Sequence, residues 1–119
     1  MCHKNEFVMY EVMRELSDNE LANIKMFEVE YFEDKENAFI VTNDDQFYVI
    51  GCNRDGMLGL NHKNEVKELT KIEVLCGKQI VDIKCSTYIA AVLTKCGHIY
   101  VWFGIDEDFE VNRPHSPQQ

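Results

Sequence analysis

Ala38-Phe39-Ile40-Val41-Thr42-Asn43-Asp44-Asp45-Gln46-Phe47-Tyr48-Val49-Ile50 returns 52 residues later as Ala90-Ala91-Val92-Leu93-Thr94-Lys95-Cys96-Gly97-His98-Ile99-Tyr100-Val101-Trp102, without a gap. Ala, Thr, Tyr and Val recur identically at 38/90, 42/94, 48/100 and 49/101, and the other apolar sites stay apolar. Each copy reads as apolar strand, polar turn, apolar strand. Asn43-Asp44-Asp45 and Lys95-Cys96-Gly97 supply the turns, so each copy predicts an antiparallel hairpin. In 38–41 and 90–93 adjacent residues are all apolar, so both faces of each strand demand burial.

A repeat of about 50 residues built from short antiparallel strands has the size of a β-propeller blade, a four-stranded sheet. Sheets stacked like blades would bury both faces, which a lone sheet cannot do. The fold expected is mainly β: a partial β-propeller of about two antiparallel blades with a short N-terminal helix. A closed ring needs about seven such units, more than this length holds.

Working outward, Gln79–Cys85 alternates through Ile80, Val81 and Ile83, and Phe27, Val29 and Tyr31 alternate with Glu28 and Glu30, both as half-exposed strands do. Ser17-Asp18-Asn19-Glu20 has capping-box spacing, flanked by Leu16 and Leu21 as a hydrophobic staple. It predicts a helix over 18–26 that must pack on something. The stretch Phe7–Met13 reads as an extended segment. Three parts follow: an acidic segment 1–37 with the helix and first strand, two repeat units over 38–104, and an acidic, disordered tail 105–119.

The 119 residues include 12 Lys and Arg against 21 Asp and Glu, a net charge of −9. Residues 1–37 hold 4 basic and 10 acidic side chains, residues 38–104 hold 7 of each, and 105–119 hold 1 and 4. This balance disfavours direct nucleic-acid binding, which needs the opposite sign. The longest apolar run, Tyr88–Leu93, is far too short to cross a bilayer, so no membrane partner is expected. Five cysteines, an odd count with no Cys-x-x-Cys pair and no secretory signal, point to a reducing compartment, cytoplasmic or nuclear. Cys96-x-His98 is the nearest approach to metal-ligand spacing and lacks further ligands, so neither metal nor cofactor is expected. The four histidines are scattered, and Asp44-Asp45 reads as turn chemistry, so no catalytic residue and no enzyme activity is expected.

Between the repeats lies Gly51-Cys52-Asn53-Arg54-Asp55-Gly56-Met57-Leu58-Gly59-Leu60. The reading is structural: positive φ at Gly56 and Gly59, the Asn53 side chain bonding nearby backbone, and Leu58 filling the core. The spacing matches no phosphate-binding loop. Propellers bind through loops on one face, which singles out Arg54, Asp55, Lys63, Glu65 and Lys67 as candidate partner contacts.

Gly51-x-Asn53-x-x-Gly56-x-Leu58-Gly59 after Phe47-Tyr48-Val49 resembles the signature of the regulator of chromosome condensation repeat, the blade of seven-bladed propellers. Ile83–Thr94 resembles that repeat's central strand pair, and Tyr100-Val101-Trp102-Phe103-Gly104 its closing Val-x-Val-Trp-Gly. The resemblance covers about residues 16–104. Ser86, Ile89 and Met57 depart from the pattern, and Phe103 is inserted before Gly104. Leu16-Ser17-Asp18-Asn19-Glu20-Leu21 is similar to the start of the adaptors that join such a propeller to a BTB domain. The resemblance makes Gly51, Asn53, Gly56, Leu58, Gly59, Tyr100, Trp102 and Gly104 structural signature residues. It implies a non-enzymatic protein-interaction module that binds a protein partner or itself. By analogy the partner is a ubiquitin-ligase component or a small GTPase subject to guanine-nucleotide exchange. The alternative is a truncated gene product without independent function.

Overall fold

The computed structural model describes residues 10–86, 88–105 and 115–119. Seven strands form two antiparallel sheets among the described residues. The first contains β1 (Ile24–Phe32), β2 (Lys35–Thr42), β3 (Phe47–Gly51) and β4 (Val66–Lys71), in that order. The second contains β5 (Ile80–Ser86), β6 (Ile89–Thr94) and β7 (Ile99–Phe103). The chain is therefore mainly β, a partial propeller-like stack with a short N-terminal helix, α1 (Asp18–Ala22).

The repeat holds at the level of register. Ala38 pairs with Ile50 and Val41 with Phe47; 52 residues on, Ala90 pairs with Trp102 and Leu93 with Ile99. The two turns are copies as well. The Thr42 amide donates to the Gln46 carbonyl at 2.9 Å, as Thr94 does to His98 at 2.9 Å. The Gln46 and His98 amides in turn donate to the Thr42 and Thr94 hydroxyls at 2.9 and 3.0 Å. Each hydroxyl also donates to that same carbonyl, at 3.3 Å in both turns, and this double use explains why threonine opens both turns. Positive φ falls on Asp45 (62°) in one turn and on Gly97 (93°) in the other.

The first strands also correspond, but at another offset. Ile24 opposes Thr42 and Met26 opposes Val41 across a bulge, just as Ile80 opposes Thr94 and Asp82 opposes Leu93. The β1–β2 hairpin runs on to Phe32 and Lys35, whereas β5–β6 closes at Ser86 and Ile89. The longer arm is what displaces the offset.

The sheets pack through unlike faces. Phe39, Val41, Phe47 and Val49 on the inner face of the first sheet meet Ala90, Val92, Tyr100 and Trp102 on the second, in one core with Met57, Leu58 and Leu75. Trp102 lies 6.0 Å from Phe39 and 6.3 Å from Phe47 between ring centroids. Asp45 anchors the next unit: its carbonyl accepts from the Gly77 amide at 2.8 Å, and its carboxylate from the Gln79 amide at 3.1 Å. The opposite face of the first sheet, Ala38, Ile40 and Ile50, is covered by Met13, Leu16 and Leu21. Capping of an end unit in this way is a general requirement of repeat stacks.

Several expectations about individual elements differ from what the structure shows. Glu11–Met13 is a 3-10 turn and not an extended segment, because Met13 must reach the outer core and is 1% exposed; residues 1–9 lie outside the described part. α1 ends at Ala22 and not at residue 26, because β1 starts at Ile24; its capping box is present, with the Glu20 amide donating to Ser17 Oγ at 3.1 Å. A boundary between 37 and 38 divides a single sheet, since β1 pairs with β2. Within the tail, Val101 and Gln118 form an antiparallel bridge and Pro117 is buried, so residues 115–119 are docked against β7; residues 106–114 lie outside the described part. The demand for burial is met on both faces of 38–41 but not in the second sheet, where Leu93 is 37% exposed.

Candidate functional site

The loop after β3 is held by one asparagine. Asn53, at φ 57°, donates through Nδ2 to the carbonyls of His62 and Asn64, both at 2.9 Å, and accepts from the Leu58 amide at 3.2 Å. The loop is thereby folded onto itself with Leu58 wholly buried. At Gly51 (φ 150°) a Cβ would stand 2.6 Å from Asn37 Oδ1 and from the Glu36 carbonyl, so β2 can approach only a glycine. Gly56 and Gly59 have φ of 69° and 81°, the second beneath the Trp102 indole. Trp102 Nε1 donates to the Met57 carbonyl at 2.7 Å, which ties the second sheet to the loop of the first. Gly104 lies against the Asp55 carbonyl, and Tyr100 is buried in the shared core. Gly56, Leu58, Gly59, Tyr100, Trp102 and Gly104 thus converge on the joint between the sheets, while Gly51 and Asn53 hold the loop to β2 and to itself.

Asp55 does not belong with the candidate partner contacts. It is 2% exposed, because its carboxylate caps the loop from inside: Oδ1 accepts from the Met57 amide and from Asn37 Nδ2, both at 3.2 Å. Asn37 Nδ2 also donates to Glu30 Oε1 at 2.8 Å, while Asn37 Oδ1 accepts from the Asn53 amide at 2.8 Å. Burial, followed by the hydrogen bond and charge of Asp55, pushes the Glu30 carboxyl up to about 7. Below about pH 7 the protonated Glu30 carboxyl can donate to Asp55. Glu28, Glu30 and Asp55 border a cleft of about 320 Å3 with Cys85, whose thiol burial pushes up to about 12. Sequence reading missed Glu30, which looked like the polar half of an alternating strand.

Arg54, Lys63, Glu65 and Lys67 are exposed. Glu65 and Lys67 line a groove of about 580 Å3 that sequence spacing did not reveal. Its walls come from the N-terminal cap, the β1–β2 hairpin and the start of β4. Glu11, Glu15, Asp34, Glu36, Glu65 and Glu68 face it against Lys35 and Lys67. Glu36 also helps hold the cap, accepting from the Val12 amide at 2.9 Å.

Elsewhere, Asp44 and the Cys96–His98 pair serve turns. Asp44 accepts from Asn23 Nδ2 at 3.3 Å. His98 Nδ1 lies 3.6 Å from Cys96 Sγ, and hydrogen bonding from Thr94 and the His98 amide lowers the Cys96 thiol. Among the described residues no three His, Cys, Asp or Glu side chains are arranged to hold a metal, and every buried side-chain nitrogen or oxygen has a hydrogen-bond partner.

Head-to-tail sheets joined by a Gly-Asn-Gly loop define a β-repeat protein. No family model matches the chain. Among curated proteins it is similar to the secretion-regulating guanine nucleotide exchange factor of Bos taurus, 31% identical over 83 residues, covering 70% of this chain and 18% of that protein. It is also similar to the E3 ubiquitin-protein ligase HERC2 of Homo sapiens, 31% identical over 85 residues, covering 66% and 2%. With the Ras guanine nucleotide exchange factor C of Dictyostelium discoideum it shares 29% identity over 82 residues, covering 69% and 6%. The chain spans less than a fifth of the curated relatives it matches.

Proposed function

We propose that the chain is a non-enzymatic protein-interaction module, one segment of a chromosome-condensation-type repeat array, and that its acidic groove takes a basic segment of a protein partner. The groove carries the reading. Six carboxylates against two ammonium groups in one recess focus a negative field, which raises the local concentration of a cationic partner. The reading requires no cofactor. The charge that favours a basic peptide disfavours nucleic acid, and among the described residues no helix is long and apolar enough to cross a membrane. The free thiols Cys52, Cys76, Cys85 and Cys96 support a cytoplasmic or nuclear setting.

Calorimetric titration with a short Lys/Arg-rich peptide tests the groove. Binding should weaken with salt and fall about tenfold on Glu11→Lys with Glu68→Lys. A neutral peptide of equal length binding as well would refute it. The names of the relatives favour two finer readings. In one, the chain serves a ubiquitin ligase in an adaptor-like role, as its likeness to the BTB adaptors suggests. In the other it acts on a small GTPase, and labelled GDP should then leave a panel of such GTPases faster when the chain is added. Unchanged release across the panel would remove the exchange reading.

A further inference from the structure

We propose that the acidic groove selects a basic segment carrying one apolar side chain, which seats on the groove floor between cationic neighbours. The inference rests on the groove reading above and specifies the partner's chemistry at that same place. The lining is sorted by depth. Ile50, Gly51 and Val66 are buried and Val12 and Cys52 half-buried, whereas Glu11, Glu15, Asp34, Glu65 and Glu68 are exposed. Charge therefore stands at the rim and apolar surface at the floor. Burial, the largest of several causes, pushes the Cys52 thiol up, so a charge is poorly hydrated at that depth.

That sorting decides what fills the recess. Ion pairs at an exposed rim steer a partner and add little affinity each. An ammonium group carried down to Val12, Ile50 and Cys52 would lose its hydration. Glu36, the half-buried carboxylate of the lining, is already engaged by the Val12 amide, 2.9 Å away, and by the Tyr31 hydroxyl. An apolar side chain loses nothing on such a floor and takes its own surface out of water. Basic neighbours on either side then meet the rim, whose carboxylates come from three elements. Glu11 and Glu15 stand on the cap, Asp34 between β1 and β2, and Glu65 and Glu68 at the start of β4. An enclosed anchor ringed by polar groups is the arrangement that concentrates binding energy. The floor is also built in advance, because the Val12–Glu36 bond joins its cap portion to the sheet.

The probes are the peptide Lys-Lys-Leu-Lys-Lys and its versions with Ser or Lys at the centre, titrated calorimetrically into the full chain. The Leu peptide should bind about tenfold more tightly than the Ser peptide, as one enclosed aliphatic side chain warrants. Added salt should weaken both peptides and leave that ratio standing, since screening acts on the charges alone. Val12→Ser, its fold checked by circular dichroism, should bring the Leu peptide down toward the Ser peptide. A second readout needs no variant. At about nine-tenths occupancy the Leu peptide should slow iodoacetamide alkylation of Cys52 about tenfold in peptide mass mapping, since only the free chain reacts. Equal binding by the Ser or Lys peptide would overturn the apolar anchor and leave the acidic-groove reading in place. Tighter binding of the Leu peptide with Cys52 unprotected would overturn the seat on the floor. Failure of all three peptides to bind would overturn both readings together.

Discussion

Replacing Glu30 by Gln should remove one proton from the folding equilibrium while leaving the core polar cluster intact. The carboxamide oxygen can still accept from Asn37 Nδ2, and its NH2 can donate to Asp55 in place of the acid proton. In the native chain Glu30 titrates at about 7, against 4.5 for the free side chain. An acid whose folded pKa lies above its unfolded one holds its proton more tightly when folded. Its contribution is therefore greatest below the unfolded value, declines as pH rises through the window, and is lost above the folded value. At 1.36 kcal/mol for each pKa unit, the window spans about 3 kcal/mol. The assay is urea unfolding of both proteins at pH 5.5, 6.5, 7.5 and 8.5. Titrating groups that do not touch Glu30 cancel in the difference between them. Relative to the native chain, Glu30→Gln should gain about 2 kcal/mol from the lowest to the highest pH, most of it before pH 7.5, because the rest of the window lies below pH 5.5. Parallel stability curves across that range would refute the assignment of a shared proton between Glu30 and Asp55.

Three further outcomes follow from the same geometry. Asn53→Ala strands the buried Leu58 amide and the carbonyls of His62 and Asn64, and should cost about 2–3 kcal/mol in denaturant unfolding. Trp102→Ala empties the joint between the sheets and removes the bond to Met57, an expected loss of about 3–5 kcal/mol in the same assay. Under limiting iodoacetamide near neutral pH, peptide mass mapping should find Cys96 alkylated before Cys52 and Cys85. Cys96 is exposed and its thiolate favoured, whereas burial raises the other two.

The hairpin repeat was legible because everything it needs is local. Thr42 and Thr94 start their turns with their own hydroxyls, and the strands they join are neighbours in the chain. The Gly51–Gly59 loop was legible for a related reason, since glycines required by close approach leave a mark at fixed spacing. β4 was not, because an edge strand reading Val66-Lys67-Glu68-Leu69-Thr70-Lys71 carries more charge than an interior strand and no clean alternation. The structural correspondence of β1 and β5 was hidden by the longer first hairpin, which breaks the constant offset. The pairing of Glu30 with Asp55 depends on Asn37 lying between them on a neighbouring strand, a relation that no spacing along the chain encodes. Period-two patterning also said that both faces of the central strands wanted cover without saying which face meets which. That choice lies in tertiary packing, and it decides where the acidic groove and the open face fall.

The direction of the stack coincides with the direction of synthesis. Residues 10–22 leave the ribosome before the sheet they cover, and the first sheet before the second. Each apolar surface is therefore matched by a segment already made or next to appear, and the unmatched one is always the newest. A nascent chain of this design carries a single adhesive end throughout elongation, and that end moves with the growing terminus. Aggregation during synthesis would be limited to whichever sheet had emerged last, and a chaperone guarding such a chain would need to recognise one recurring surface.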